Sequence, residues 1–200
     1  MTKKILFFDT ETTGIIQKWW SLDSQPHCLQ FWYILWEYES DGTVIKEIVG
    51  DHFFNPGVPI PADATRVHHI TDEMVADKPK IDSFFRHFTA LVRTVDIVVA
   101  HNIEYDRSVM FFELDRYFTN LEPGINEWKA MFRTKEKCTM MSTIDFVGIK
   151  NKYWNKYPKL QELHSRLFAE EFAEAHNAIA DIKATQKCFW ELIRRGLITL

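Results

Sequence analysis

Residues Ile5-Leu6-Phe7-Phe8 form an apolar run with no polar alternation, closed by an acid at Asp9. Such a run suits a central strand buried on both faces, and that strand needs a layer of structure above it and another below. The rest of the chain supplies candidates. Residues 29–38 are aromatic and β-rich, and residues 43–54 follow Asp41-Gly42, a strong hairpin signal, so two antiparallel strands are expected beside the first. Residues 55–61 hold three prolines and a glycine and read as a loop. Residues 81–94 place Phe84, Phe85, Phe88, Leu91 and Val92 on one helical face, most simply as core. A short strand is expected over 96–100 and helices over 104–118, 158–168 and 175–195. Residues 120–157 read as irregular, with a short strand near 139–144. No repeat or linker divides the chain, so residues 1–200 are expected as a single domain. Strands first, then strand and helix alternating, indicate an α/β layer fold with a mixed sheet.

Composition narrows the function. With 46% hydrophobic and 26% charged residues the chain can build a full core, which excludes a disordered protein. The formal net charge of −4 argues against coating nucleic acid through bulk positive charge. Charge is uneven, however. Between residues 129 and 159 stand eight basic residues and two acids, with Tyr153, Trp154 and Tyr157 interleaved. Lysines bind phosphates and aromatics stack on bases, so Lys152 and Lys156 are candidates for a single-strand path, against the plainer reading of a solvated loop. The adjacent Trp19 and Trp20 are a further exposed-aromatic candidate, equally compatible with core packing. Cys28, Cys138 and Cys188 are far apart and in no CxxC pair, which suits reduced thiols of a cytoplasmic protein. The N-terminal apolar run is too short for a signal core, and no stretch approaches a membrane span, so a soluble protein with no membrane partner is expected.

Three segments carry chemistry. Asp9-Thr10-Glu11-Thr12-Thr13-Gly14 ends the first strand, and residues two apart on a strand share a face, so Asp9 and Glu11 emerge side by side at its carboxyl end. In Val98-Val99-Ala100-His101-Asn102-Ile103-Glu104-Tyr105-Asp106, Asn102 is a plausible N-cap and Asp106 falls in the first turns of a helix. In Ala175-His176-Asn177-Ala178-Ile179-Ala180-Asp181, a histidine precedes a helix that carries an acid. Each alone has an ordinary explanation: a solvated strand end, an acid at a helix N-terminus, a surface histidine. In this order they suit one crevice, and four converging carboxylates imply bound divalent cations. All-oxygen ligands favour Mg²⁺ or Mn²⁺ over zinc. A two-metal site of this kind serves in-line attack of water on a phosphodiester, with His176 as the natural group to take the proton.

FDTETTG, VVAHNIEYD and HNAIAD together resemble the DEDDh (DnaQ-like) 3′–5′ exonuclease family, over residues 4–190, with 67–74 similar to the family's H-x-I-T segment. DTETTG is most similar to the proofreading ε-subunit branch of that family, from bacterial DNA polymerase III. The resemblance implies a ribonuclease H-like fold: a mixed five-stranded sheet with one antiparallel strand, flanked by helices. It implies two Mg²⁺ ions, replaceable by Mn²⁺, with Asp9 bridging both, Glu11 and Asp181 on the metal that carries the nucleophilic water, Asp106 on the second, and His176 as general base. It further implies that Thr12 and Thr13 contact the 3′-terminal nucleotide, that Ile15 packs against terminal bases, and that Asn102 is the helix-start Asn beside the second-motif acid. His69 stands where relatives commonly have Gly, Tyr105 where Phe is frequent, and residues 15–28 are longer than in compact relatives.

The expected function is a metal-dependent 3′–5′ exonuclease releasing nucleoside 5′-monophosphates from DNA, in proofreading or repair. The expected substrate is single-stranded or 3′-frayed nucleic acid, DNA favoured, and a DNA polymerase is a candidate partner. The lack of an obvious tail after the last helix favours a free-standing enzyme. The alternatives are an RNA exonuclease, ribonuclease T-like or oligoribonuclease-like, which would share the same five site residues, and a non-catalytic nucleic-acid-binding module.

Overall fold

In the computed structural model, which describes residues 2–39, 43–118, 124–170 and 178–200, the first apolar run lies at the centre of a five-stranded sheet of order β3-β2-β1-β4-β5. β1 (Lys3–Thr12) pairs antiparallel with β2 (Cys28–Tyr38), and β2 pairs antiparallel with β3 (Val44–Phe53). β4 (Ile97–Ala100) runs parallel to β1, and β5 (Glu136–Cys138) parallel to β4. β2 is thus the one antiparallel strand of a mixed sheet. The Asp41-Gly42 turn lies outside the described residues.

The period-2 alternation of β1 explains the two layers. Leu6 and Phe8 go to one face, where Phe31, Phe84, Phe88 and Phe132 pack with them. Ile5 and Phe7 go to the other, with Ile34, Val99, Leu163 and Phe189. Each fully buried Phe contributes about 1.5–3 kcal/mol of transfer free energy, so the β1 apolar run is the sheet's strongest organiser. After β3 come two short helices, α1 (Ala62–His68) and α2 (Asp72–Val75), then a 3₁₀ turn leading into α3 (Phe85–Thr94). α4 (Ile103–Tyr117) follows β4, and α5 (Ile125–Lys135) precedes β5. The short α6 (Ile144–Val147), α7 (Leu160–Phe168) and α8 (Ala178–Arg194) complete the order. α3, α4 and α5 cover the first face of the sheet; α7 and α8 cover the second. Phe84, Phe85 and Phe88 are core, as their spacing predicts.

Residues 120–157 depart from expectation. A helix of eleven residues, α5, occupies much of the stretch, and the strand lies at Glu136–Cys138, while 139–144 is a turn followed by a 3₁₀ segment. Charge hid the helix. Trp128 and Phe132, one helical turn apart, are buried, but Lys129 between them turns inward to an ion pair with Asp115. The Arg133 guanidinium lies 5.0 Å from the Phe111 ring centroid. Lys135 donates to the carbonyl oxygens of Val92 at 2.9 Å and Val95 at 2.6 Å, satisfying the end of α3. Lys129, Arg133 and Lys135 therefore make contacts within the fold, although Arg133 itself stays exposed.

β3 lies against β2 at a close approach that only glycine permits. A Cβ built on Gly50 would stand 2.1 Å from Cε1 of Tyr33. That ring is already fixed, stacked on His52 with centroids 5.9 Å apart and sharing a 3.1 Å hydrogen bond with His87 Nε2. Gly50→Ala is expected to destabilise the fold by about 1–3 kcal/mol through overpacking, read as a lowered urea midpoint. An unchanged midpoint would mean that Tyr33 can swing aside.

Candidate active site

The last pairing of β1 with β4 is Phe7 with Val99, so the segment from Asp9 to Thr12 runs on past the end of β4. The first turns of α4 enter that opening. Oδ1 of the buried Asp106 accepts the Thr10 backbone N–H at 3.0 Å and the Thr10 hydroxyl at 2.7 Å, taking bonds that a longer β4 would otherwise compete for. Asp9 and Glu11 share the strand face of Phe7, the α8 side, and Asp181 stands in the first turn of α8. Acids from three elements on both layers thus meet at one sheet edge.

They meet closely enough to alter one another. Burial, followed by the negative charges of Asp106, Glu11 and Asp181, holds the Asp9 carboxyl well above its ordinary pKa. Burial and the charges of Asp106 and Asp181 push Glu11 up to about 7. Burial pushes Asp106 up to about 7 as well, against the two Thr10 hydrogen bonds that favour its charged form. Among the described residues, no three such side chains converge on one point as ligands, and what joins them is the shared field of negative charge. That donor set fits a hard divalent cation: it is all oxygen, and a dication within its reach would favour the charged forms that burial and repulsion now oppose. His176 lies outside the described residues.

Beside the acids, on the β2 side, opens a groove of about 800 Å³. Its floor is Glu11, Thr12, Thr13 and Gly14, one wall is the loop from β1 to β2, and the other is formed by Val58, Pro61, Val67 and His68. Ile15 stands on the rim, 74% exposed. Thr12 and Thr13 use their polar groups to shape the floor. Tyr105 donates its hydroxyl to the Gly14 carbonyl at 2.6 Å and shares a 2.6 Å hydrogen bond with the Thr12 hydroxyl. Thr13 and His27 exchange two bonds of 2.9 Å, the Thr13 N–H to the His27 carbonyl and the His27 N–H to the Thr13 hydroxyl. Burial pushes the Tyr105 phenol up to about 12, so it remains a donor at neutral pH. Tyr105 and Thr10 are contributors that sequence reasoning missed. The signal for the first was present, a hydroxyl in place of a plain Phe next to the second-segment acid.

The remaining candidates lie apart from the groove. Asn102 occupies the N-cap position of α4, but at φ 73° in the left-handed region and with no side-chain cap bond, so the helix does not start on the Asn cap that its sequence suggests. Lys152 and Lys156 sit in a turn on the β4–β5 side of the acids. A bridge between Lys150 and Asn155 closes that turn, and His101 donates from Nε2 to the Pro158 carbonyl at 3.0 Å, tying the turn's base to the end of β4. Burial pushes the His101 imidazole down to about 4, so the tie is made by a neutral ring. Lys152 Nζ lies 5.2 Å from the Tyr153 ring centroid, and Lys156 pairs with Glu162 at 2.5 Å. Tyr153, Trp154 and Tyr157 are exposed, as are Trp19 and Trp20, which the structure removes from the core.

The raised pKa values predict a pH effect with a definite sign. Glu11 is protonated more easily folded than unfolded, so its contribution to stability is complete below about pH 4.5 and is lost as pH rises through about 7. In metal-free buffer, Glu11→Gln is therefore expected to gain thermal midpoint relative to wild type between pH 5 and pH 8, and added Mg²⁺ should shrink or reverse the gain. A difference independent of both pH and Mg²⁺ would count against an electrostatically loaded site.

An exonuclease family model, RNase_T, matches residues 6–189. The DNA polymerase III subunit epsilon of Pasteurella multocida is 28% identical over 184 residues, covering 90% of this chain and 64% of that protein. An uncharacterized exonuclease of Escherichia phage 186, CP81, is 27% identical, covering 90% of this chain and 83% of that one. The chain spans slightly less than two thirds of the length of its epsilon relatives. Among solved structures, the zinc-bound form of the Escherichia coli exonuclease I–single-stranded DNA complex superposes with a TM-score of 0.68 at 20% identity, over 96% of this chain and 41% of that one. The sheet order and its helical layers are those of the ribonuclease H-like exonuclease fold. The chain is a member of the exonuclease family.

Proposed function

We propose that this protein is a divalent-metal-dependent 3′–5′ exonuclease that shortens DNA from a free 3′ end and releases nucleoside 5′-monophosphates. The observation that carries this reading is the convergence of Asp9, Glu11, Asp106 and Asp181, from three elements, into one field of negative charge beside an open groove. A structural role does not account for it, because carboxylates gathered within reach of one another's charge oppose folding.

Asp9, Glu11, Asp106 and Asp181 would hold two Mg²⁺ ions, or Mn²⁺ in their place. Such ions acidify water and offset charge developing on the phosphate and the leaving oxygen. The chain's own residues bind and orient. The groove floor at Thr12 and Thr13 receives the terminal nucleotide, with Ile15 against its base. Tyr105 keeps that floor in one shape, which reduces the ordering that binding requires. The rest of the strand runs out over the β4–β5 side, where Lys150 and Lys152 meet phosphates and Tyr153 and Trp154 stack on bases. His176 accepts the proton of the attacking water as the new O–P bond forms. The P–O3′ bond breaks, and the penultimate nucleotide keeps the O3′. The zinc-bound, DNA-bound state of exonuclease I and the polymerase assignment of the epsilon relatives support a DNA substrate and make a DNA polymerase the partner to test.

Asp9→Ala and His176→Ala are each expected to lower the Mg²⁺-dependent rate on a labelled single-stranded DNA by at least about a hundredfold, the scale of a lost general base. Retained wild-type rates in either would remove that residue from the mechanism. Matched DNA and RNA strands decide the substrate class. Lys150→Ala combined with Lys152→Ala is expected to raise KM and flatten its salt dependence, because fewer counterions are then released on binding. A salt response identical to wild type would place the strand elsewhere.

A further inference from the structure

A buried carboxylate outside the acid cluster ties the groove to the helix that carries Asp106. Glu113 of α4 is 1% exposed. Its Oε1 takes three donors: the Cys28 backbone N–H at 2.9 Å, an Arg116 guanidinium nitrogen at 3.0 Å and Nδ1 of His27 at 3.2 Å. Each donor leads back to the groove. The His27 backbone exchanges its two bonds with Thr13 on the floor. Arg116 also donates to the carbonyls of Leu22, Gln25 and Pro26, and Gln25 and Pro26 line the wall. Cys28 is the first residue of β2, where that wall rejoins the sheet.

Stability alone is a poor account of this arrangement. The three donors converge on Oε1, and Oε2 is buried with no hydrogen-bond partner among the described residues. An unmet buried carboxylate oxygen costs stability, and a buried ion pair is often matched or bettered by apolar residues of the same volume. What the carboxylate supplies is geometry. An α-helix rises about 1.5 Å per residue and turns every 3.6, so Glu113 stands about 10 Å along α4 from Asp106, two turns on and on the same face. One helix thereby holds an acid of the site at its start and, two turns later, the floor and the wall of the groove.

We propose that Glu113, acting through His27 and Arg116, is a positioning residue of the site. It fixes the distance of the groove from the acids, and with it the place of the 3′-terminal nucleotide, without touching substrate. The inference rests on the exonuclease reading for what the groove holds.

The test separates nucleotide binding from chemistry on labelled single-stranded DNA with Mg²⁺. Glu113→Gln keeps the size of the side chain and an acceptor for the Cys28 N–H while removing the charge. It is expected to raise both KM and the inhibition constant of added thymidine 5′-monophosphate by about tenfold, the scale of one lost hydrogen bond to a charged group, with kcat within about twofold of wild type. His27→Phe, at a partly exposed position, should move the same two constants in the same direction. Combining it with Glu113→Gln should add nothing, because the two side chains act as one link. A lowered urea midpoint with both constants unchanged would reduce Glu113 to a support of the fold and overturn the proposal. A fall in kcat at constant KM, or additive effects in the double variant, would overturn it as well. If Glu113→Gln does not fold, His27→Phe decides by the same two constants. Wild-type turnover keeps the two readings apart: no shortening of the strand refutes the nuclease function and the positioning role with it, whereas normal turnover with unchanged constants in the variants refutes the positioning role alone.

Discussion

The Asp106 carboxylate, held by the backbone and hydroxyl of Thr10 just beyond the end of β4, is the contact on which the site depends. It anchors the start of α4 to the central strand and terminates the β1–β4 ladder, so that the carboxyl end of β1 stands open on that side. Hydrogen bonds to a charged group contribute about 1.5–3 kcal/mol each, which offsets part of the cost of burying an acid among acids. The remaining cost is visible in the raised pKa values of Asp9, Glu11 and Asp106. A dication bound there would relieve the repulsion and favour the charged forms of these acids.

Around that edge the chain separates rigid support from exposed contact surface. Tyr105 bonds the Thr12 hydroxyl and the Gly14 carbonyl, and Thr13 exchanges two bonds with His27, under the groove. Gln25 and Arg116 stiffen the wall beside it. Beyond these supports, Trp19 and Trp20 in the loop from β1 to β2, and Tyr153, Trp154 and Tyr157 in the segment before α7, remain in water. The formal charge of −4 is accordingly a sum of unlike parts. Acids concentrate where a metal would offset them, and some of the basic residues that appear to form a surface patch are consumed inside the fold.

Much of this was legible before any coordinates. Ile5 to Phe8 could be only a strand with two covered faces, and the i, i+2 spacing of Asp9 and Glu11 gave them a common face at its carboxyl end. The three acid-bearing segments pointed to one crevice because each sits where a strand ends or a helix begins. Less legible were α5 and β5. Lys129 and Lys135 make the segment look solvated, because a sequence does not show that an ammonium will find Asp115 or a set of helix-end carbonyls. β5 has no apolar run and exists through its pairing with β4, supported by the Arg107–Glu136 ion pair at 2.6 Å. The expected Asn102 cap failed because the chain leaves β4 through a left-handed residue, a choice set by where α4 must dock.

The sequence by itself determined the layered α/β architecture, the central strand and the identity of the acids, because these follow from periodicity and residue chemistry within short windows. Only the tertiary structure decided which lysines face solvent, that a tyrosine hydroxyl sets the groove floor, and that two tryptophans stand outside the core. Those outcomes depend on partners distant in the chain, from 14 positions for Lys129 and Asp115 to 91 for Tyr105 with Gly14 and for Arg116 with Gln25. Hydrogen bonding and burial at such separations are properties of the assembled layers and leave no local pattern in the chain.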